Sequence, residues 1–216
     1  MDKKFKLGLI PKIIIAIALG VIVGKYCPEV VVRIAVTFSS IFGSFLNFII
    51  PLMIIGFVTK GIADLGEGAG KLLGVTVLIS YLSTIIGGSL SYGMANAIFP
   101  KFLNADLINN IQEASEIVVD PFFEVPITPF FDVTSAIIFA FMLGISVSWL
   151  RSHGKGKYTY EIIGDFNLII TKVLEVAIVP LLPFYIFGNF SKMSFTGSVE
   201  AVLSIFWKIF ICIIAL

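Results

Sequence analysis

One stretch gathers side-chain oxygens in an otherwise apolar sequence: Ser80, Tyr81, Ser83, Thr84, Ser89, Ser91 and Tyr92. Hydroxyls and freed backbone carbonyls are the hard ligands that a sodium ion takes, and a tilted, hydroxyl-rich helix is a place to find them. The same hydroxyls can bond back to carbonyls of their own helix, and spacing alone favours that reading. Glu175 is set among apolar residues with Lys172 three positions earlier, and residues three apart share a helix face. An ionisable group inside a membrane span is a functional candidate; the alternative is a structural pair with Lys172 snorkelling to the interface. Gly66-Glu67-Gly68-Ala69-Gly70-Lys71 has the look of a phosphate loop. Such a loop needs Gly, four residues, then Gly-Lys-Ser/Thr, and Leu65 and Leu72 stand at the first glycine and at the hydroxyl position. It reads as a glycine-rich turn. His153, in the basic run Arg151-Ser152-His153-Gly154-Lys155, reads as solvated. Cys27 and Cys212 make no CxxC or Cys/His pair, so neither a metal site nor a disulfide framework is expected. No Ser/His/Asp or Cys/His set and no pair of carboxylates at a cleft is present. The sequence makes no case for an enzyme.

The elements that must carry these residues are membrane spans. Of the 216 residues, 58% are hydrophobic and 13% charged, with a mean hydropathy of +1.04. Soluble domains carry about 45–50% apolar and about 25% charged residues, so too little polar surface is available for a soluble globule. A soluble enzyme, a nucleic-acid module and a disordered tail are excluded. The net charge of +1 implies no nucleic-acid partner. The fold class expected is an all-α, polytopic membrane protein, a single membrane domain over 1–216 with spans at 7–24, 34–59, 72–100, 133–150, 162–190 and 199–216. At about 1.5 Å per residue the second and third reach roughly 39–43 Å, against a hydrocarbon core of roughly 30 Å. They should tilt, kink or project past the headgroups, and Pro51 gives the second a place to kink. Lys3-Lys4-Phe5-Lys6 before the first apolar run mimics a signal peptide, but the run lacks a cleavage site and reads as a retained span. From Phe102 to Asp132 the acids Asp106, Glu113, Glu116, Asp120, Glu124 and Asp132, with Pro121, Pro126 and Pro129, make a long loop. A partly inserted, extended piece is expected around 118–131. The last apolar run ends at Leu216 with no polar tail, which reads as a truncated chain.

The positive-inside rule orients the spans. With the N-terminus cytoplasmic, the inner segments hold Lys3, Lys4, Lys6, Lys12, Lys60, Lys71, Arg151, Lys155 and Lys157, and the outer ones Lys25, Arg33, Lys101 and Lys192. Gly20 and Gly24, and separately Gly87, Ser91 and Ala95, repeat at four-residue spacing. Such ridges let helix backbones approach closely, and helix packing rather than a ligand groove is the expected use of both.

Three stretches resemble one family. Phe45-Leu46-Asn47-Phe48-Ile49-Ile50-Pro51-Leu52-Met53-Ile54-Ile55-Gly56, followed by Lys60-Gly61-Ile62-Ala63-Asp64-Leu65-Gly66, resembles the second span of the dicarboxylate/amino acid:cation symporters. Phe139-Ala140-Phe141-Met142-Leu143-Gly144-Ile145 is similar to the end of their fourth span, and Val179-Pro180-Leu181-Leu182-Pro183-Phe184 to the proline-bearing stretch of their fifth. Order, spacing and orientation agree over essentially the whole chain.

The resemblance implies the N-terminal part of an elevator-type carrier, working as a homotrimer in a bacterial inner membrane. Its activity would be cation-coupled symport, sodium or proton, of dicarboxylates or acidic amino acids, with membrane lipids and a small anionic substrate as partners. Spans one, two, four and five would be scaffold; three and six would belong to the transport domain. The family's substrate site lies C-terminal to this chain, so no substrate-binding residue carries over. The family's third span gives a tyrosine and, three residues on, a threonine–serine pair to a sodium site. Tyr81 and Thr84 match the tyrosine and threonine, and Ile85 replaces the serine. Sodium ions are thus the one cofactor implied. The alternative from another class is a non-transporting membrane scaffold or small helical channel.

Overall fold

A computed structural model describes residues 8–66, 69–98 and 119–197, together with 199, 207, 210, 211, 213 and 214. The helices are α1 (Leu9–Tyr26), α2 (Glu29–Asp64), α3 (Ala69–Ile98), α4 (Val133–Ser152), α5 (Lys157–Val173) and α6 (Val179–Phe195), with a π-helical turn, Leu174–Ile178, joining the last two. The stretches Leu9–Tyr26, Glu29–Asp64, Gly70–Ala97, Val133–Ser152 and Lys157–Phe195 are long and apolar enough to cross a membrane. Each overlaps one of the expected stretches 7–24, 34–59, 72–100, 133–150 and 162–190. Most of the sixth, 199–216, lies outside the described residues, as do Lys3, Lys4, Lys6, Glu67, Gly68, Lys101, Asp106, Glu113, Glu116 and Cys212.

Two helical runs, Glu29–Asp64 and Lys157–Phe195, outrun the expected spans 34–59 and 162–190 at both ends. A hydropathy window stops at the first charge, whereas a helix does not. Glu29 and Arg33 begin α2, Lys60 and Asp64 end it, and each can extend its charged head toward water while the backbone ladder continues. Helix α2 also continues through Pro51, whose ring is fully buried. The fifth span is one helical run of 39 residues interrupted only by the π turn. Pro180 has no N–H to give to the Val176 carbonyl, and a π turn just before it absorbs the mismatch: the N–H of Val179 donates to the carbonyl of Leu174.

The chain gathers into two compact units. One takes the described residues of Met1–Phe42, Ser83–Glu124 and Leu181–Leu216, the other those of Gly43–Leu82 and Val125–Pro180. In the first unit, α1 and α6 meet backbone to backbone. A Cβ on Gly20 would lie 2.7 Å from the Phe187 carbonyl oxygen, and one on Gly24 would lie 2.5 Å from Ser194 Cβ. Only glycine admits so close an approach. Ser194 Oγ donates to the Val21 carbonyl at 2.7 Å across this seam. Gly188 of α6 lies as close to Ala35 and Ser39 of α2, and Ser39 Oγ donates to the Tyr185 carbonyl at 3.0 Å. Val32, Val36 and Val119 form a buried cluster on which Phe195 packs. Val119 belongs to the segment 119–132, which is non-helical.

In the second unit, Gly144 of α4 sits on Ile62 of α2, where a Cβ would come within 2.7 Å of the isoleucine Cβ. Thr59 Oγ1, buried, donates to the Ala140 carbonyl at 3.3 Å. Asn167 of α5 donates to the Gly56 carbonyl of α2 at 3.3 Å, and Phe166 and Ile170 cover Gly56. These polar side chains give their hydrogen bonds to carbonyls of neighbouring helices, as lack of water in the apolar layer requires.

Candidate functional site

The hydroxyl-bearing face belongs to α3, and no described side chain of α3 is buried. Tyr81 is 70% exposed and Ile85 54%; Thr84 is exposed as well. Their i, i+3 spacing on a continuous helix puts Tyr81 and Thr84 on one face. Two hydroxyls of α3 turn back onto the helix: Thr76 Oγ1 donates to the Leu72 carbonyl at 2.9 Å and Ser89 Oγ to the Ile85 carbonyl at 2.7 Å. A hard cation surrounds itself with about six or more oxygens. Two side chains on one exposed face can furnish part of such a shell. Among the described residues, no group of three or more His, Cys, Asp or Glu gathers that could hold a metal ion.

Other residues singled out in the sequence fall in simpler places. Lys172 and Glu175 pair at 3.7 Å, with side chains 72% and 59% exposed, a long contact with little expected energy. The exposed ring of His153 lies against Trp149, centroids 4.5 Å apart, and its Nδ1 is 2.9 Å from the Trp149 carbonyl. Gly87 has no atom within 4 Å of the position its Cβ would take. The Gly87-Ser91-Ala95 ridge is thus open at Gly87 among the described residues, whereas Gly20 and Gly24 are packed.

A polar cluster at one end of the second unit was not legible from spacing. Tyr160, in the first turn of α5, donates through its hydroxyl to Asp64 Oδ1 at 2.6 Å and accepts from Lys60 Nζ at 2.7 Å. Lys60 and Asp64 themselves pair at 2.5 Å. The Lys60 ammonium lies 4.1 Å from the Tyr160 ring centroid and the Arg151 guanidinium 4.0 Å, so the ring holds two cations by its quadrupole. Arg151 also donates to the Ala63 carbonyl at 2.6 Å, and Ser148 to the Gly66 carbonyl at 2.6 Å. The last carbonyls of α2 would otherwise lack donors. Side chains of α4 supply them and fix where the chain leaves toward α3. Only the Lys60–Asp64 pair, four residues apart, could be seen in sequence.

In the first unit residues 120–122 of the non-helical segment are anchored in a comparable way. Arg33 Nε donates to the Asp120 carbonyl at 3.1 Å, and its guanidinium lies 4.4 Å from the Phe122 ring centroid. The Phe122 N–H donates to Thr37 Oγ1 at 2.9 Å, while that hydroxyl donates to the Arg33 carbonyl at 2.7 Å.

The model of the sodium:dicarboxylate symporter family matches residues 9–216, a range that takes in all five long helices. The chain belongs to the sodium:dicarboxylate symporter family. Comparisons with curated proteins and with solved structures find no match. Membership makes this a multi-pass membrane protein of a transporter family, not an enzyme. The resemblance seen in Phe45–Gly56, Phe139–Ile145 and Val179–Phe184 is thereby borne out at the level of the family.

Proposed function

We propose that this chain serves secondary active transport in which a cation gradient, sodium or proton, drives symport of dicarboxylates or acidic amino acids. The observation that carries the reading is the family match over residues 9–216, on a chain with five apolar helices of spanning length. The proposed setting is the inner membrane of a bacterium, with the N-terminus cytoplasmic and the carrier a homotrimer. The lysine and arginine distribution supports the orientation. In this reading α1, α2, α4 and the α5–α6 run form the scaffold, and α3 and the last apolar run, 199–216, belong to the part that moves. The packing supports that division. The scaffold helices meet at glycines with no room for a Cβ, which makes them poor sliding surfaces. Among the described residues helix α3 buries no side chain, and moving elements come from the weakly packed end of a structure. Tyr81 and Thr84 would give oxygens to the coupling cation, with Ile85 removing the ligand that a serine would add.

Uptake of labelled aspartate, glutamate, succinate and fumarate by cells expressing the complete reading frame that encodes this chain tests the proposal. Accumulation of one of these classes that collapses with the sodium or the proton gradient is expected. Uptake of none of them, or uptake indifferent to both gradients, would refute it.

A further inference from the structure

We propose that the turn between α4 and α5 is a binding site for the headgroup of an anionic phospholipid, with Lys155 and Lys157 as its cationic contacts. The inference rests on the membrane setting and on no choice of substrate or coupling ion.

Charge at this end of the second unit is concentrated in one place. From Trp149 to Tyr160 the chain carries Arg151, His153, Lys155 and Lys157 and no acid. The other connection at the same end carries both signs in sequence, Lys60 and Lys71 with Asp64 and Glu67. Within the basic turn the cations divide by geometry. Arg151 points inward, spent on the Tyr160 ring and the Ala63 carbonyl. Lys155 and Lys157 are exposed, and among the described residues no carboxylate forms an ion pair with either.

The turn that presents them is fixed. Gly154 and Gly156 take positive φ, 68° and 74°, which other residues rarely adopt. The Lys155 N–H donates to the Leu150 carbonyl at 2.9 Å, and a Cβ on Gly156 would stand 2.8 Å from Leu150 Cβ. The two lysines are therefore held one residue apart on either side of a glycine that cannot be enlarged.

The surroundings match the build of a phospholipid tier by tier. Ile145 and Ile162, 41% and 66% exposed, lie one turn deeper in α4 and α5. Above them are Trp149 and Tyr158, 59% and 79% exposed, four residues along on the same faces. Amphipathic rings favour the headgroup level of a bilayer. Beyond the rings are the ammonium groups of Lys155 and Lys157. Acyl chain, ester region and phosphate would meet isoleucine, aromatic ring and lysine in that order. Anionic headgroups attract juxtamembrane lysines through their surface potential.

Trp149 makes a local probe. In a Trp207→Phe chain reconstituted in nanodiscs, its quenching is titrated with brominated phosphatidylglycerol and, separately, brominated phosphatidylcholine. Each lysine near an anionic surface contributes about a fivefold preference, so wild type should favour phosphatidylglycerol about 25-fold. Lys155→Gln/Lys157→Gln should bring the preference near unity, and Lys155→Arg/Lys157→Arg should keep it. Molar salt should weaken it, since these charges are open to screening. Equal quenching by both lipids in wild type would overturn the proposal. So would a preference untouched by the glutamine pair, or one lost in the arginine pair. A preference abolished by millimolar inorganic phosphate at constant ionic strength would assign the site to a soluble anion instead.

Discussion

Replacing Gly24 by alanine adds one methyl group where two helices touch. The new Cβ would lie 2.5 Å from Ser194 Cβ and 2.9 Å from the Phe195 backbone nitrogen, and closer still to the Ser191 carbonyl oxygen. Carbon contacts are comfortable at about 3.5–4.0 Å. Two of the three obstacles are backbone, so no rotamer change relieves them and α1 must move away from α6. Overpacking of this kind costs about 1–3 kcal/mol, and the backbone obstacles place it toward the upper end. The same movement stretches the Ser194–Val21 hydrogen bond, and interhelical bonds in membranes average about 0.6 kcal/mol. Alanine returns about 1 kcal/mol of helix propensity. The expected net loss is about 2 kcal/mol. At about 2–4 °C per kcal/mol for chains of this size, the melting temperature in detergent, followed by tryptophan fluorescence, should fall by about 4–8 °C. Gly87→Ala is the control: with nothing within 4 Å of its Cβ, only the propensity gain of about 1 kcal/mol remains, and melting should rise by about 2–4 °C. Gly20→Ala combined with Gly24→Ala should cost less than the two separately, since α1 withdraws once. A Gly24→Ala chain that melts at or above wild type, or a Gly87→Ala chain that falls as far, would refute the reasoning.

Thr84→Val, in the complete reading frame, keeps the shape and removes one oxygen; a lost ligand should weaken cation activation of uptake by about 1–3 kcal/mol, roughly 5- to 150-fold in half-activating concentration. An unchanged sodium and pH dependence would remove Thr84 and Tyr81 from the cation site. Cysteines introduced singly as Asn109→Cys and Ser152→Cys test the orientation: an impermeant maleimide on intact cells should label position 109 and spare position 152, and the reverse pattern would invert the topology. Asp132 caps α4 by accepting from the Ser135 N–H at 3.1 Å, and hydrogen bonding to Ser135 holds its carboxyl below the usual carboxylate value. A lowered pKa contributes stability above the unfolded value that is lost as pH falls through the folded one. Asp132→Asn should therefore flatten the acid limb of the stability profile below about pH 4, Asp132→Ala should also lower melting at neutral pH, and an unaltered acid limb would contradict the cap.

Hydropathy located the helices because the bilayer imposes a length and a composition that a linear string reveals. It did not locate their ends. Lys60 and Asp64 close the α2 run only in a reading that treats charge as a stop, whereas in space they remain helical and are held by Tyr160. Tyr160 lies almost a hundred residues away, and nothing in its neighbourhood in sequence marks it as a partner. Such contacts depend on which helices are neighbours, and that is set by packing between elements rather than by any one element's pattern.

The two small-residue ridges carry the sharper lesson. Gly20 and Gly24 share their four-residue spacing with Gly87, Ser91 and Ala95, and both sets define a smooth helix face. One is filled to the point where a methyl group has no room; the other leaves a methyl group at Gly87 free of any contact among the described residues. Spacing states which residues share a face, and only the arrival of a second helix turns that face into an interface. The same distinction governs Tyr81 and Thr84. Their spacing aligns two oxygens on α3, but a cation needs further oxygens from elsewhere to replace its water. What the sequence makes legible is therefore the half of a site that a single helix can own, and the test of that half is whether removing one oxygen changes the cation dependence of transport rather than the stability of the helix.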